Sequence, residues 1–240
     1  MNIGYERIRP TPAYVPGVTL NSFVGLDWNS RANVVVSFKA KLKADLRERQ
    51  LGRCCYCRRH LPADPMATHL EHFIEKAACQ TFTFAIENLG LSCVTCNNKK
   101  NAAYGRISGF LSRRATARTG TPQSIKRCPA LATVAIPASI TNPNDFRWVH
   151  PHLDDFSNHI MIRKGWIFRG TSPKGFRTVK GLELNALARL EQRARQERLS
   201  SRSGPMALFV GFLDQINESP PREAVSDVIA EIRRRIRKAT

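Results

Sequence analysis

Residues 54–104 read CCYCRRHLPADPMATHLEHFIEKAACQTFTFAIENLGLSCVTCNNKKNAAY, and the cysteine spacing in this stretch decides the fold. Cys54 and Cys57 form one Cys-x-x-Cys turn and Cys93 and Cys96 another, on either side of a 35-residue insert. Each such turn presents two sulfurs to one ion, so the pair of turns can supply four thiolates to a tetrahedral Zn²⁺. Seven cysteines in 240 residues do not resemble the framework of a secreted disulfide protein, and paired spacing favours metal over oxidation. A structural zinc is the expected outcome, with four unrelated buried thiols as the alternative. Cys55, Cys79 and Cys128 are expected to be inert core residues.

Inside the zinc insert the order is His69-Leu70-Glu71-His72-Phe73, then Glu87-Asn88-Leu89, then Cys93-Val94-Thr95-Cys96-Asn97-Asn98-Lys99-Lys100. This order resembles the HNH endonuclease signature: an acidic residue and His ending a first strand, an Asn in a second segment, and His or Asn after the second zinc knuckle. The resemblance implies an α+β, ββα-metal fold over about residues 54–104. Carried over position by position, it implies that Glu71 and Asn97 hold a divalent cation, His72 is the general base and Asn88 steadies the catalytic loop. The set is chemically coherent. Carboxylate and amide oxygens suit a hard ion such as Mg²⁺ or Mn²⁺, and imidazole, with an ordinary pKa of about 6.5, can take a proton from water at neutral pH. His69 shares a strand face with Glu71 and could be an extra ligand, an orienter of Glu71 or a structural histidine. Lys100 matches the basic residue closing the knuckle motif, and it and Lys76 are expected phosphate contacts. At Glu75, where many relatives carry Pro, the chain departs from the pattern, which puts the backbone path after the catalytic turn in question.

The charge balance points the same way. A net charge of +19 attracts polyanions. No acidic residue falls between Glu87 and Asp145, whereas Lys99, Lys100, Arg106, Arg113, Arg114, Arg118, Lys126 and Arg127 do. Beside the zinc insert this run is expected to be a nucleic-acid-binding strip, the alternative being a solvated linker. No stretch approaches the roughly 20 apolar residues of a membrane helix. Met1 to Gly17 carries Glu6, Arg7, Arg9 and three prolines where a signal peptide would be apolar, so a cytoplasmic protein is expected.

Outward from the insert, residues 1–30 read as an irregular leader that packs across the core or docks a partner. Val35, Phe38, Leu42 and Leu46 predict a helix from Asn33 to Leu51 that Gly52 ends. The nuclease domain is expected over residues 31–128, including a basic extension beyond Tyr104 read as a connection. Residues 129–240 are expected to form a β-hairpin, His159–Arg163 and Trp166–Arg169 about Lys164-Gly165, followed by helices over 182–199, 205–216 and 221–236. His150, His152, Asp154, Asp155 and His159 could form a second metal cluster, but a tight turn with hydrogen-bonded Asp residues is the stronger reading.

Trp148 to Asp155, His159-Ile160, Lys174-Gly175, Thr178-Val179 and Leu182-Glu183-Leu184-Asn185 resemble the C-terminal pattern of PtuB-like HNH proteins of Septu and retron-associated bacterial defence systems. That resemblance, which covers about residues 35–200 in patches, implies an anti-phage effector nuclease assembled with a large ABC or SMC-like ATPase. Whether it dimerises within that complex stays open. DNA is the expected substrate and RNA is not excluded. A non-catalytic zinc-ribbon binder or a partner-docking subunit is the alternative.

Overall fold

The computed structural model describes residues 3–62, 67–133, 135–163, 167–186 and 189. The expected turn at Lys164-Gly165, most of the helix over 182–199 and the two helices after it lie outside the described residues.

The first helix, α1 (Asn33–Arg49), buries Val35, Phe38, Leu42 and Leu46 on the predicted face. It ends where Leu51 and Gly52 take positive φ, 49° and 65°, a left-handed exit that Gly makes at no steric cost. The cap residue Gln50 is fully buried. Its amide exchanges hydrogen bonds with Leu91, Nε2 donating to the carbonyl at 2.9 Å and Oε1 accepting from the amide at 2.8 Å. This side chain therefore pins the end of α1 to the strand that delivers the second cysteine pair. Cys55 N donates to the same Leu91 carbonyl at 2.8 Å, so the first cysteine turn rests on that strand too.

Strands β1 (Thr68–His72) and β2 (Leu89–Cys93) pair antiparallel, with Thr68 opposite Cys93 and His72 opposite Leu89. A short 3₁₀ turn, Ile86–Asn88, leads into β2, and β2 runs directly into α2 (Val94–Thr119) with Cys93 as its N-cap. The order strand, strand, helix, with four clustered cysteines, fits the expected ββα-metal fold.

Where a connection was expected after Tyr104, the structure has helix as far as Thr119, closed by Gly120 at φ 73°. Its buried residues, Cys96, Lys100 and Ala103, all lie in the first turns. Further along, serine hydroxyls replace apolar contacts: Ser108 Oγ accepts from Arg127 N at 3.0 Å and Ser112 Oγ from Ile125 N at 2.8 Å. Ile107, Phe110 and Leu111 do recur at helical spacing, but none of the three is buried.

Beyond this module, β3 (Ile160–Arg163) and β4 (Ile167–Gly170) form the expected antiparallel hairpin. A helix absent from the sequence reading, α3 (Pro173–Gly181), follows, capped by Ser172 with Pro173 at its first position. His150 to Asp154 form a capped turn, Asp154 Oδ2 accepting from His150 N at 2.7 Å and pairing with Lys174 at 2.7 Å. His152 Nε2 donates to Leu89 O at 2.7 Å, binding this turn to the start of β2. The leader packs inward through Tyr5, Ile8 and Phe23. Buried Arg58, just after the first cysteine pair, lies between the Tyr5 and Phe156 rings, 3.8 and 4.4 Å from their centroids. One hydrophobic core thus runs from Tyr5 to Leu184. Among the described residues no helix is long and apolar enough to cross a membrane.

Candidate active site

The four paired cysteines meet as the spacing predicts. The sulfurs of Cys54, Cys57, Cys93 and Cys96 lie within 4.8 Å of one another, all buried. Burial opposes a thiolate at Cys54, yet hydrogen bonds from Cys55, Cys57, Cys93 and Cys96 bring it well below the usual thiol range. Four converging sulfurs fit tetrahedral Zn²⁺. Four thiolates around Zn²⁺ leave net negative charge in a dry interior, and Arg189 answers it. Its Nη2 donates to Cys96 Sγ at 2.9 Å, while Nη1 donates to the carbonyls of Leu182 and Glu183.

The cysteine cluster and the β1–β2 pairing set the ends of β1 and α2 side by side, and a cleft of about 280 Å³ opens there. Glu71, His72, Lys76, Asn97 and Lys100 all line it. Asn88 stands behind it, 1% exposed, making three hydrogen bonds. Oδ1 accepts from Ile74 N at 2.7 Å, and Nδ2 donates to Ile74 O and Phe82 O, both at 3.0 Å. These clamp the chain after β1 to the loop at Phe82-Thr83.

That loop orients His72. Its Nε2 lies 3.0 Å from Thr83 O; a carbonyl can only accept, so Nε2 carries the proton and Nδ1 is left as the basic nitrogen. The ring meets Trp28 edge-on at 4.4 Å. Burial, aided by the charges of Lys76, Lys100 and Lys39, pushes the imidazole down to about 3 although the Thr83 contact works the other way. The side chain is therefore neutral at physiological pH.

Asn97 Nδ2 donates to His69 Nδ1 at 2.7 Å. With the amide nitrogen engaged, its Oδ1 is the atom left for a cation. His69 thus touches Asn97 without itself lining the cleft. Glu71 and Asn97 offer two hard oxygens on one cleft, a set that suits Mg²⁺ or Mn²⁺ with water and phosphate in the remaining positions.

Lys100, expected to contact phosphate, lines the cleft yet is buried. It is 1% exposed, with Nζ 2.8 Å from Glu71 Oε1, 2.9 Å from Glu75 Oε1 and 2.6 Å from His72 O. The Glu75 contact is ionic without hydrogen-bond geometry, since neither Glu75 oxygen has a hydrogen-bond partner. Burial opposes the ammonium, but the two carboxylates outweigh it and raise Lys100 above its ordinary value. Burial in turn pushes Glu71 up, against the pull of Lys100. Lys100 is placed to position Glu71 and the His72 backbone. Lys99 and Arg106 are also engaged, both with Glu183. Arg113 and Arg114 are exposed on α2, about 20 Å along the axis from Lys100 at 1.5 Å per residue, so they extend the basic surface away from the cleft.

Sequence reasoning passed over Trp28, the Thr83 carbonyl, Gln50 and Arg189. Only Glu75 carried a signal, as an unusual acid where relatives have Pro. Residues 54–103 match the family model described as HNH endonuclease, which supports an HNH-type domain over those residues. No curated protein and no solved structure matches the chain.

Proposed function

We propose that this chain is a metal-dependent HNH endonuclease that hydrolyses phosphodiester bonds of nucleic acid, DNA in the first instance. The observation that carries the reading is the single cleft shared by Glu71, His72 and Asn97, in the stretch that matches the HNH model. His72 Nδ1 takes the proton from the attacking water, its tautomer set by the Thr83 carbonyl. Glu71 and Asn97 Oδ1 would hold a Mg²⁺ or Mn²⁺ ion, which would supply Lewis-acid polarisation of the phosphate and stabilisation of the leaving oxygen. A base held near pKa 3 by burial, and to a lesser degree by three ammoniums, is weak; a phosphate in the cleft would offset the ammonium part of that shift and strengthen the base. Lys100 and Glu75 keep Glu71 and His72 in place, and Asn88 keeps the Thr83 loop in place. One such centre cuts one strand.

The resemblance of Trp148–Asp155 and Lys174–Asn185 to PtuB-like proteins supports a cytoplasmic defence complex with an ABC or SMC-like ATPase. Co-purification from the host tests that assembly.

Plasmid nicking tests the activity. Wild-type protein with Mg²⁺ or Mn²⁺, alone or with an ATPase that co-purifies with it, should nick, and His72→Ala should lose about 10²- to 10⁴-fold while staying folded. Plasmid and a labelled single strand both left intact under every condition would remove the nuclease assignment.

A further inference from the structure

The candidate catalytic cleft is not isolated. It shares Trp28, Leu70 and Asn97 with a second cleft of about 490 Å³, lined further by Lys39, Lys43 and His69. Trp28 is the wall between the two. Its indole is anchored by the Phe84 ring at 5.6 Å, and its carbonyl accepts from Lys39 Nζ. Two ammoniums lie by the ring, Lys39 at 4.5 Å and Lys76 at 5.7 Å from the centroid. Among the described residues neither is ion-paired to a carboxylate, and only the longer-range charge of Asp27 offsets them. Lys43 is one turn beyond Lys39 on α1, so the two share a face. An aromatic ring among under-compensated cations, in a trench continuous with a phosphodiester cleft, is a site for a nucleotide whose base is free to leave a stack.

We propose that Trp28, Lys39 and Lys43 form a binding subsite for an unpaired nucleotide adjoining the scissile phosphate, so that the chain acts on single-stranded or locally unpaired nucleic acid. The base lies against Trp28, and the backbone leads from the catalytic cleft over Lys39 towards Lys43. A paired base keeps its faces inside the duplex stack and cannot use the indole, so the subsite selects for strand opening. The inference rests on the nuclease reading for the position of the scissile phosphate, but not for its test.

That test is fluorescence anisotropy with the full-length, zinc-loaded protein and a labelled single strand or its duplex, without added Mg²⁺ or Mn²⁺. Trp28→Ala should weaken single-strand binding about 5- to 100-fold and duplex binding by less than about 2-fold, and Trp28→Phe should recover most of the loss. Lys39→Ala/Lys43→Ala should reduce the salt slope for the single strand by about 1.4, the share of two phosphates. Unchanged single-strand affinity in Trp28→Ala, or an equal loss on duplex, overturns the subsite. If Trp28→Ala melts early, Trp28→Phe and the lysine pair carry the test, and an unchanged salt slope overturns it. Protein that binds through Trp28 but never cuts refutes the nuclease reading alone; protein that nicks yet ignores Trp28 refutes only the subsite.

Discussion

Replacing Asn88 by Ala should damage stability and catalysis together, by amounts the structure sets. The substitution removes three buried hydrogen bonds, at 2.7, 3.0 and 3.0 Å, and strands Ile74 N, Ile74 O and Phe82 O. A buried polar group left without a partner costs about 1–3 kcal/mol. Three would cost several times that, but the space vacated can admit water, which brings the expected loss to about 3–5 kcal/mol. Phe82 adjoins Thr83, whose carbonyl sets the His72 tautomer, so the loosened loop should lower nicking beyond what the unfolded fraction explains. Urea unfolding and single-turnover nicking on the same preparation measure the two effects. Asn88→Asp is the sharper variant, since it can still accept from Ile74 N but turns negative charge on two carbonyls. A loss below about 1 kcal/mol with unchanged nicking would refute the role given to Asn88.

Other consequences follow from the buried charges. Arg189→Ala removes the guanidinium from Cys96 and should speed zinc loss to a chelator about 10-fold or more, in the range of outer-shell effects on metal sites, with Arg189→Lys intermediate; equal release rates would deny Arg189 that role. His150 and His152 are both held below the ordinary histidine value, chiefly by burial. Between that value, about 6.5, and their folded values the unfolded chain binds protons that the folded chain refuses. Stability should be level above about pH 6.5 and fall as pH drops, and His150→Phe should flatten the fall. Urea midpoints at pH 7.5 and 5.5 read this, and a pH-independent midpoint would contradict it.

The parts legible in the sequence were those encoded by type and spacing. Paired cysteines announced the sulfur cluster, a 3–4 residue rhythm announced α1, and the order Glu71-His72, Asn88, Asn97 announced which side chains to seek in one place. What escaped was encoded in single polar side chains acting on distant backbone. Gln50 holds β2 from 41 residues away. Ser108 and Ser112 hold the far half of α2, where Ile107, Phe110 and Leu111 are spaced as a helix face but not buried. Lys100, a cation in a basic run, gave no sign of being buried between two glutamates, because burial depends on partners that tertiary folding supplies. Trp28 stood in an irregular leader, where a lone aromatic residue has no periodic context to give it meaning.

The proposed catalysis depends most on one site bringing Glu71 and Asn97 to the same hard cation beside His72. Titrating Mn²⁺ into zinc-loaded protein, followed by electron paramagnetic resonance, tests this without cleavage. One Mn²⁺ per chain should bind, with affinity reduced about 10-fold or more in both Glu71→Gln and Asn97→Ala and the zinc content unchanged. No Mn²⁺ bound by the wild type, or equal binding by both variants, would contradict it.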